Sequence, residues 1–237
     1  MTDTASSAFG TGADAPQLLR PEDEDRYQRI FEGQAVRAYL YLSLGIGTIA
    51  VLLPFFLMIG GGYQDHDSLS SFYHAKGGPA RDILVGSLCA VGVFLFLFHG
   101  LSTLENWLLN AAGVAVSLVA LVPSPGDTGY GSALVHRGSA IIFFLLLAVV
   151  AIFLSKGRIQ HIVDEKKKRW FAMAYTAAGV AMGAMPVIVA GLQFLPEEMF
   201  KDHWVFWTEC TGIWCFSAYW FLKTAEYRLL LKIRWMP

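Results

Sequence analysis

Six apolar runs, each long enough to cross a bilayer, constrain this chain more than any other feature. They lie at about 38–60, 82–101, 105–123, 137–155, 170–194 and 204–223. A spanning helix needs about 20 mainly apolar residues to cross roughly 30 Å of hydrocarbon, because lipid offers no partner to an unpaired backbone group. The expectation is an all-α polytopic bundle of six transmembrane helices. Composition agrees: with 55% hydrophobic and 16% charged residues, the 237-residue chain is too apolar for an ordinary soluble domain. The third run is the weakest, being short, interrupted by Asn110 and Ser117, and separated from the second by only a tight STLEN turn.

Charge placement sets the expected orientation. With six spans, one side receives Arg20, Arg26, Arg29 and Arg37, then Lys156, Arg158 and the Lys166 to Arg169 run, then Lys223, Arg228, Lys232 and Arg234, which together make fourteen of the eighteen basic residues. Short basic loops stay in the cytoplasm, so both termini are expected there, in a multi-pass protein of the cell membrane. The bilayer is the expected partner, and the basic run would also suit anionic lipid. A formal net charge of -1 gives no electrostatic argument for nucleic acid. Residues 1–35 are read as a disordered tail and a cytoplasmic lead-in helix, and residues 36–237 as the transmembrane domain. The amino terminus lacks the charge and apolar core of a cleaved signal. Trp107, Trp170, Trp204 and Trp235 fall near run ends, where an amphipathic ring prefers the headgroup layer. In the fifth run, Gly179-xxx-Gly183 allows close helix approach. Cys89, Cys210 and Cys215 lie within apolar runs without metal or disulfide spacing.

That topology gathers His66, His74, His136 and His203 on the outer side, with Asp82 and Glu209. Glu209 follows His203 by six positions, about 9 Å deeper at helical rise. A carboxylate at that depth is either a protonated acid bonded to another helix or a functional group. Asp82 follows Gly77, Gly78 and Pro79 and suits a helix N-cap, with a second role left open. Arg81 suits a snorkelling residue, and His74 is either a loop histidine in water or part of a site. His99, near Glu105, and His161 read as ordinary surface residues.

Ser70-xxx-His74 with the downstream Asp82 resembles the CREST group of membrane hydrolases and receptors, which includes alkaline ceramidases and the progestin and adiponectin receptors. That resemblance implies a zinc-dependent lipid amide or ester hydrolase. The group's His-xxx-His in the last span is absent here, and six runs stand where it has seven spans. Over residues 66 to 223 the chain is also similar to uncharacterised bacterial multi-span proteins, through Ser68, Ser70, Phe72, Tyr73, Arg81, Asp82, Val85, Gly86, His136, Glu209, Trp220 and Lys223. This second likeness implies a family and no activity.

The leading expectation is an outward-facing site on a lipid substrate. His74, His136 and His203 would hold Zn²⁺, Glu209 or Asp82 would act as base toward a metal-bound water, and Ser70 would bond the substrate carbonyl. Two other readings stay open. One is a transporter or channel with Asp82, Glu209 and Lys223 along a polar path, and the other is a sensor or assembly protein.

Overall fold

The computed structural model describes residues 20–76, 78–122, 130–192 and 203–231, and all regular structure among them is helical. The helices are α1 (Pro21–Gly61), α2 (Ala80–Leu97), α3 (Thr103–Leu121), α4 (Tyr130–Val149), α5 (Lys156–Ile159), α6 (Glu165–Leu192) and α7 (Trp204–Leu231). A widened π turn, Val150–Leu154, continues α4, and two 3-10 turns, Tyr63–Asp65 and Ser70–His74, lie between α1 and α2. The expected disordered tail at residues 1 to about 17 lies outside the described residues.

Two compact units divide after Ala38. Described residues of the first are the opening of α1, where Arg20 pairs with Asp23 at 2.9 Å. The lead-in segment and the first apolar run are not separate helices: α1 is continuous over 41 residues. Gly33, the one weak helix former between Arg26 and Ala38, costs about 1 kcal/mol and does not stop it.

Among the described residues, five stretches are long and apolar enough to cross a membrane, namely Arg26–Gly61, Ala80–Leu97, Thr103–Leu121, Ser132–Leu154 and Glu165–Val189. At 28 residues α7 is long enough too, but its Trp and Tyr content and its Glu209, Lys223, Glu226 and Arg228 set it apart in composition. From α2 onward each long helix packs on the next long helix in sequence. The last returns to the first, with Ser217 Oγ donating to the Gly47 carbonyl at 2.7 Å and Thr224 Oγ1 to Ser43 Oγ at 3.1 Å.

Small residues set the helix separations. A Cβ at Gly92 would lie 2.9 Å from the Gly113 carbonyl, and one at Gly113 would lie 2.8 Å from the Gly92 carbonyl, so α2 and α3 meet backbone to backbone. The Gly179-xxx-Gly183 pair faces α4, where a Cβ at Gly179 would come within 2.6 Å of Ile152. Between the helices, Phe98, Leu109, Leu147, Tyr175, Phe216 and Trp220 form the main buried cluster. Leu53, Leu57, Leu69, Phe72, Leu84 and Phe206 form a smaller one at the end that carries the 3-10 turns, called here the capped end.

Local sequence explains the starts of α2 and α3. Ser102 caps α3 by accepting the Glu105 amide at 3.1 Å, and the Glu105 carboxylate accepts the Leu101 amide at 2.9 Å. This is a capping box in which the acid reaches one residue further back than usual. Asp82 is not the N-cap of α2. Pro79 takes that position, and Asp82 stands exposed as the third helical residue, where negative charge complements the helix dipole.

Candidate functional site

A small cap closes one end of the bundle. Gly62, at φ 78°, takes the left-handed conformation that ends α1, which a side chain would strain. The chain then winds through the two 3-10 turns and is fastened to the start of α7. Phe206 N donates to the Asp67 carbonyl at 3.0 Å, and His203 Nδ1 donates to the His66 carbonyl at 3.0 Å. Trp207 Nε1 donates to the Tyr63 hydroxyl at 2.8 Å, while the Tyr63 ring lies against His203 at 4.4 Å between centroids. Underneath, Phe72 fits against Gly61, where a Cβ would approach its ring to 2.7 Å.

Glu209 supplies the central fastening. Its Oε2 accepts the Leu69 amide at 2.7 Å, and the neighbouring Ser70 amide adds to the stabilisation of the carboxylate. The acid that depth singled out thus satisfies the opening amides of the Ser70–His74 turn, which have no partner within the turn. It fixes the backbone of Ser70.

Ser70 meets a histidine from α4. His136 is buried at 5% exposure, and its Nδ1 lies 2.9 Å from the Val122 carbonyl at the end of α3. A carbonyl can only accept, so Nδ1 carries the proton and Nε2 of the neutral ring has its lone pair free. That nitrogen faces Ser70 Oγ at 3.4 Å. A hydroxyl, an imidazole acceptor and a third group fixing the ring is the arrangement of an activated nucleophile, at the looser spacing common without substrate.

The other expected site residues fall around this pair. His74 is exposed, contacts the Tyr73 ring at 5.4 Å and lies within electrostatic reach of His136. His203, at φ 69°, is committed to the cap, with Asp67 at 3.9 Å from its Nδ1. Asp82 lines a pocket with Tyr73, Arg81, Val85, Gly86, Ala120 and Leu121; Tyr73 belongs to the same 3-10 turn as Ser70. Ser70, His136 and Glu209 therefore come together, with His74 and Asp82 nearby and His203 to one side. His136 and His203 each hold a backbone carbonyl through Nδ1, which leaves Nε2 as the nitrogen a metal could meet. Among the described residues no group of three or more His, Cys, Asp or Glu stands close enough together to hold a metal, so His74, His136 and His203 are not gathered at one point.

The opposite end of the bundle holds Lys223, named from sequence as part of a polar path, together with polar partners that sequence reasoning did not assign to it. Lys223 Nζ lies 2.8 Å from Glu105 Oε1, with the two side chains 0% and 1% exposed. The ammonium also lies 5.8 Å from the Phe98 ring centre and 5.7 Å from that of Tyr219. Tyr175 donates to Glu226 at 2.5 Å, and Tyr219 meets Ser155 at 3.1 Å just past the π turn. Glu105, read from sequence as part of a tight turn, is a core residue. The signal that pointed to its capping role was Ser-Thr-Leu-Glu itself. Along α7 between Glu209 and Lys223, Phe216, Tyr219 and Trp220 are buried in the main core, so apolar and aromatic packing fills the interval that a polar path would cross.

Family models, curated proteins and solved structures were compared with this chain, and none matches.

Proposed function

We propose that this is an integral membrane protein of six transmembrane helices with both termini cytoplasmic, and that Ser70 and His136 form the nucleophile and base of a lipid ester or amide hydrolase at the opposite face. The observation that carries the reading is the orientation of His136: its Nδ1 is held by Val122 and its Nε2 faces Ser70 Oγ at 3.4 Å. Ser70 is the position this reading shares with the CREST resemblance, whose histidine is carried by His74 and not by His136.

In this mechanism His136 Nε2 takes the Ser70 proton as Oγ attacks the substrate carbonyl. The imidazolium then gives that proton to the leaving alkoxide or amine as the carbonyl re-forms, leaving an acyl-serine. Water, deprotonated by the same nitrogen, attacks the acyl group and releases the acid, returning Ser70 to its starting state. Val122 offers a dipole where a triad would offer a carboxylate, so it fixes the tautomer while stabilising the imidazolium less. Glu209 acts as a positioning residue through the Ser70 backbone.

A lipid-tailed fluorophosphonate, whose phosphorus loses fluoride to an activated serine, tests the dyad on protein in nanodiscs. Mass spectrometry is expected to find the adduct on Ser70 in the parent and none in Ser70→Ala. Labelling in His136→Ala is expected to slow about 100-fold, the lower range for a lost general base. Absence of adduct on the folded parent, or an unchanged rate in His136→Ala, overturns the reading.

Orientation has its own check. With native cysteines replaced, a cysteine at Lys76 is expected to react with an impermeant maleimide on intact cells, and one at Lys167 only after lysis. The reverse pattern would invert the proposed topology.

A further inference from the structure

We infer that the pocket lined by Tyr73, Arg81 and Asp82 selects a zwitterionic phospholipid whose headgroup carries both a phosphate and a primary ammonium; this rests on the hydrolase reading above and deepens it. The pocket has a volume of about 420 Å³ and lies between the cap, the start of α2 and the end of α3. Tyr73 connects it to the dyad because it follows Ser70 in the same 3-10 turn. Leu121 connects it from the other side, since it precedes Val122, whose carbonyl holds His136.

The walls have a polar side and an apolar side. Arg81 is held against Tyr73, with its Cζ 4.7 Å from the ring centre and one guanidinium nitrogen donating to the hydroxyl at 3.3 Å. A guanidinium fixed in that way keeps further N–H donors for a phosphate. Asp82 lines the same pocket, and neither charge forms an ion pair among the described residues. Val85, Gly86, Ala120 and Leu121 form the apolar side. At Gly86 an added Cβ would meet nothing within 4 Å, so the missing side chain leaves space at the wall.

Charge complementarity selects the occupant. A lipid with only a negative headgroup would satisfy Arg81 and be opposed by Asp82. A quaternary ammonium would balance the charge but offers no N–H to the Asp82 carboxylate. A phosphate joined to a primary ammonium satisfies both, while its acyl chains follow Val85, Gly86 and Leu121 toward the bilayer. Hydrolysis would then consume lipid and water, breaking an acyl ester through Ser70 and yielding a lysolipid and a fatty acid.

Binding is tested on the Ser70→Ala protein, so that the chemistry cannot affect the result. Native mass spectrometry from mixed nanodiscs is expected to retain phosphatidylethanolamine about tenfold over phosphatidylcholine and phosphatidylglycerol, the equivalent of one charge-assisted hydrogen bond. Asp82→Asn should erase the discrimination against both competitors, Arg81→Gln should weaken all three lipids, and Gly86→Leu should block the pocket. Equal retention of the three lipids, or undiminished binding in Gly86→Leu, overturns the inference. Selective binding by a protein whose parent fails to react with the fluorophosphonate would remove the dyad and leave the lipid site. A reactive Ser70 without lipid preference would do the converse.

Discussion

Lys223→Met is expected to lower unfolding stability by about 3–5 kcal/mol, the usual cost of stranding one member of a buried ion pair. Glu105 is 1% exposed and reaches Lys223 at 2.8 Å, so removing the ammonium leaves a buried carboxylate without the cation it pairs with. The double variant Lys223→Met, Glu105→Gln should recover most of the loss. A neutral amide no longer needs a cation, and its carbonyl can still accept the Leu101 amide that Glu105 holds at 2.9 Å. Denaturant unfolding in micelles, followed by tryptophan fluorescence, gives all three values. A single variant as stable as the parent would mean that the pair contributes nothing, and a double variant no better than the single would locate the cost in packing around the lysine stem.

The second large effect is expected at Glu209, where two substitutions separate two roles. Glu209→Ala removes the acceptor that the Leu69 amide meets at 2.7 Å, which should cost about 1–3 kcal/mol and release the 3-10 turn carrying Ser70. Fluorophosphonate labelling should then slow about 10- to 100-fold, as expected when a nucleophile loses its alignment. Glu209→Gln keeps a carbonyl oxygen in the same place and should restore most of both losses. If the glutamine variant is as impaired as the alanine one, ionisation of Glu209 matters in itself, and a proton-carrying role gains over a positioning one.

Apolar length made the helical architecture legible, and it did so even for the third run, whose Asn110 and Ser117 weakened the pattern without stopping α3 at Thr103–Leu121. Helix ends were harder to read. The glycine and proline before Asp82 marked a boundary, but the helix begins early enough to make Pro79 the cap. Of the site, depth marked Glu209 and topology placed Ser70 and His136 at one end. Their pairing was not legible because it depends on the side-chain angle at the end of α3, where Val122 turns the imidazole. Neither was the core position of Glu105, since its partner lies 118 residues away and nothing local distinguishes a core acid from a surface one.

That separation bears on biosynthesis. A ribosome delivers the α2–α3 hairpin long before the last helix, so Glu105 is in place well before Lys223 is made. The buried pair therefore closes only when α7 joins the bundle, and a chain truncated before residue 223 never forms it.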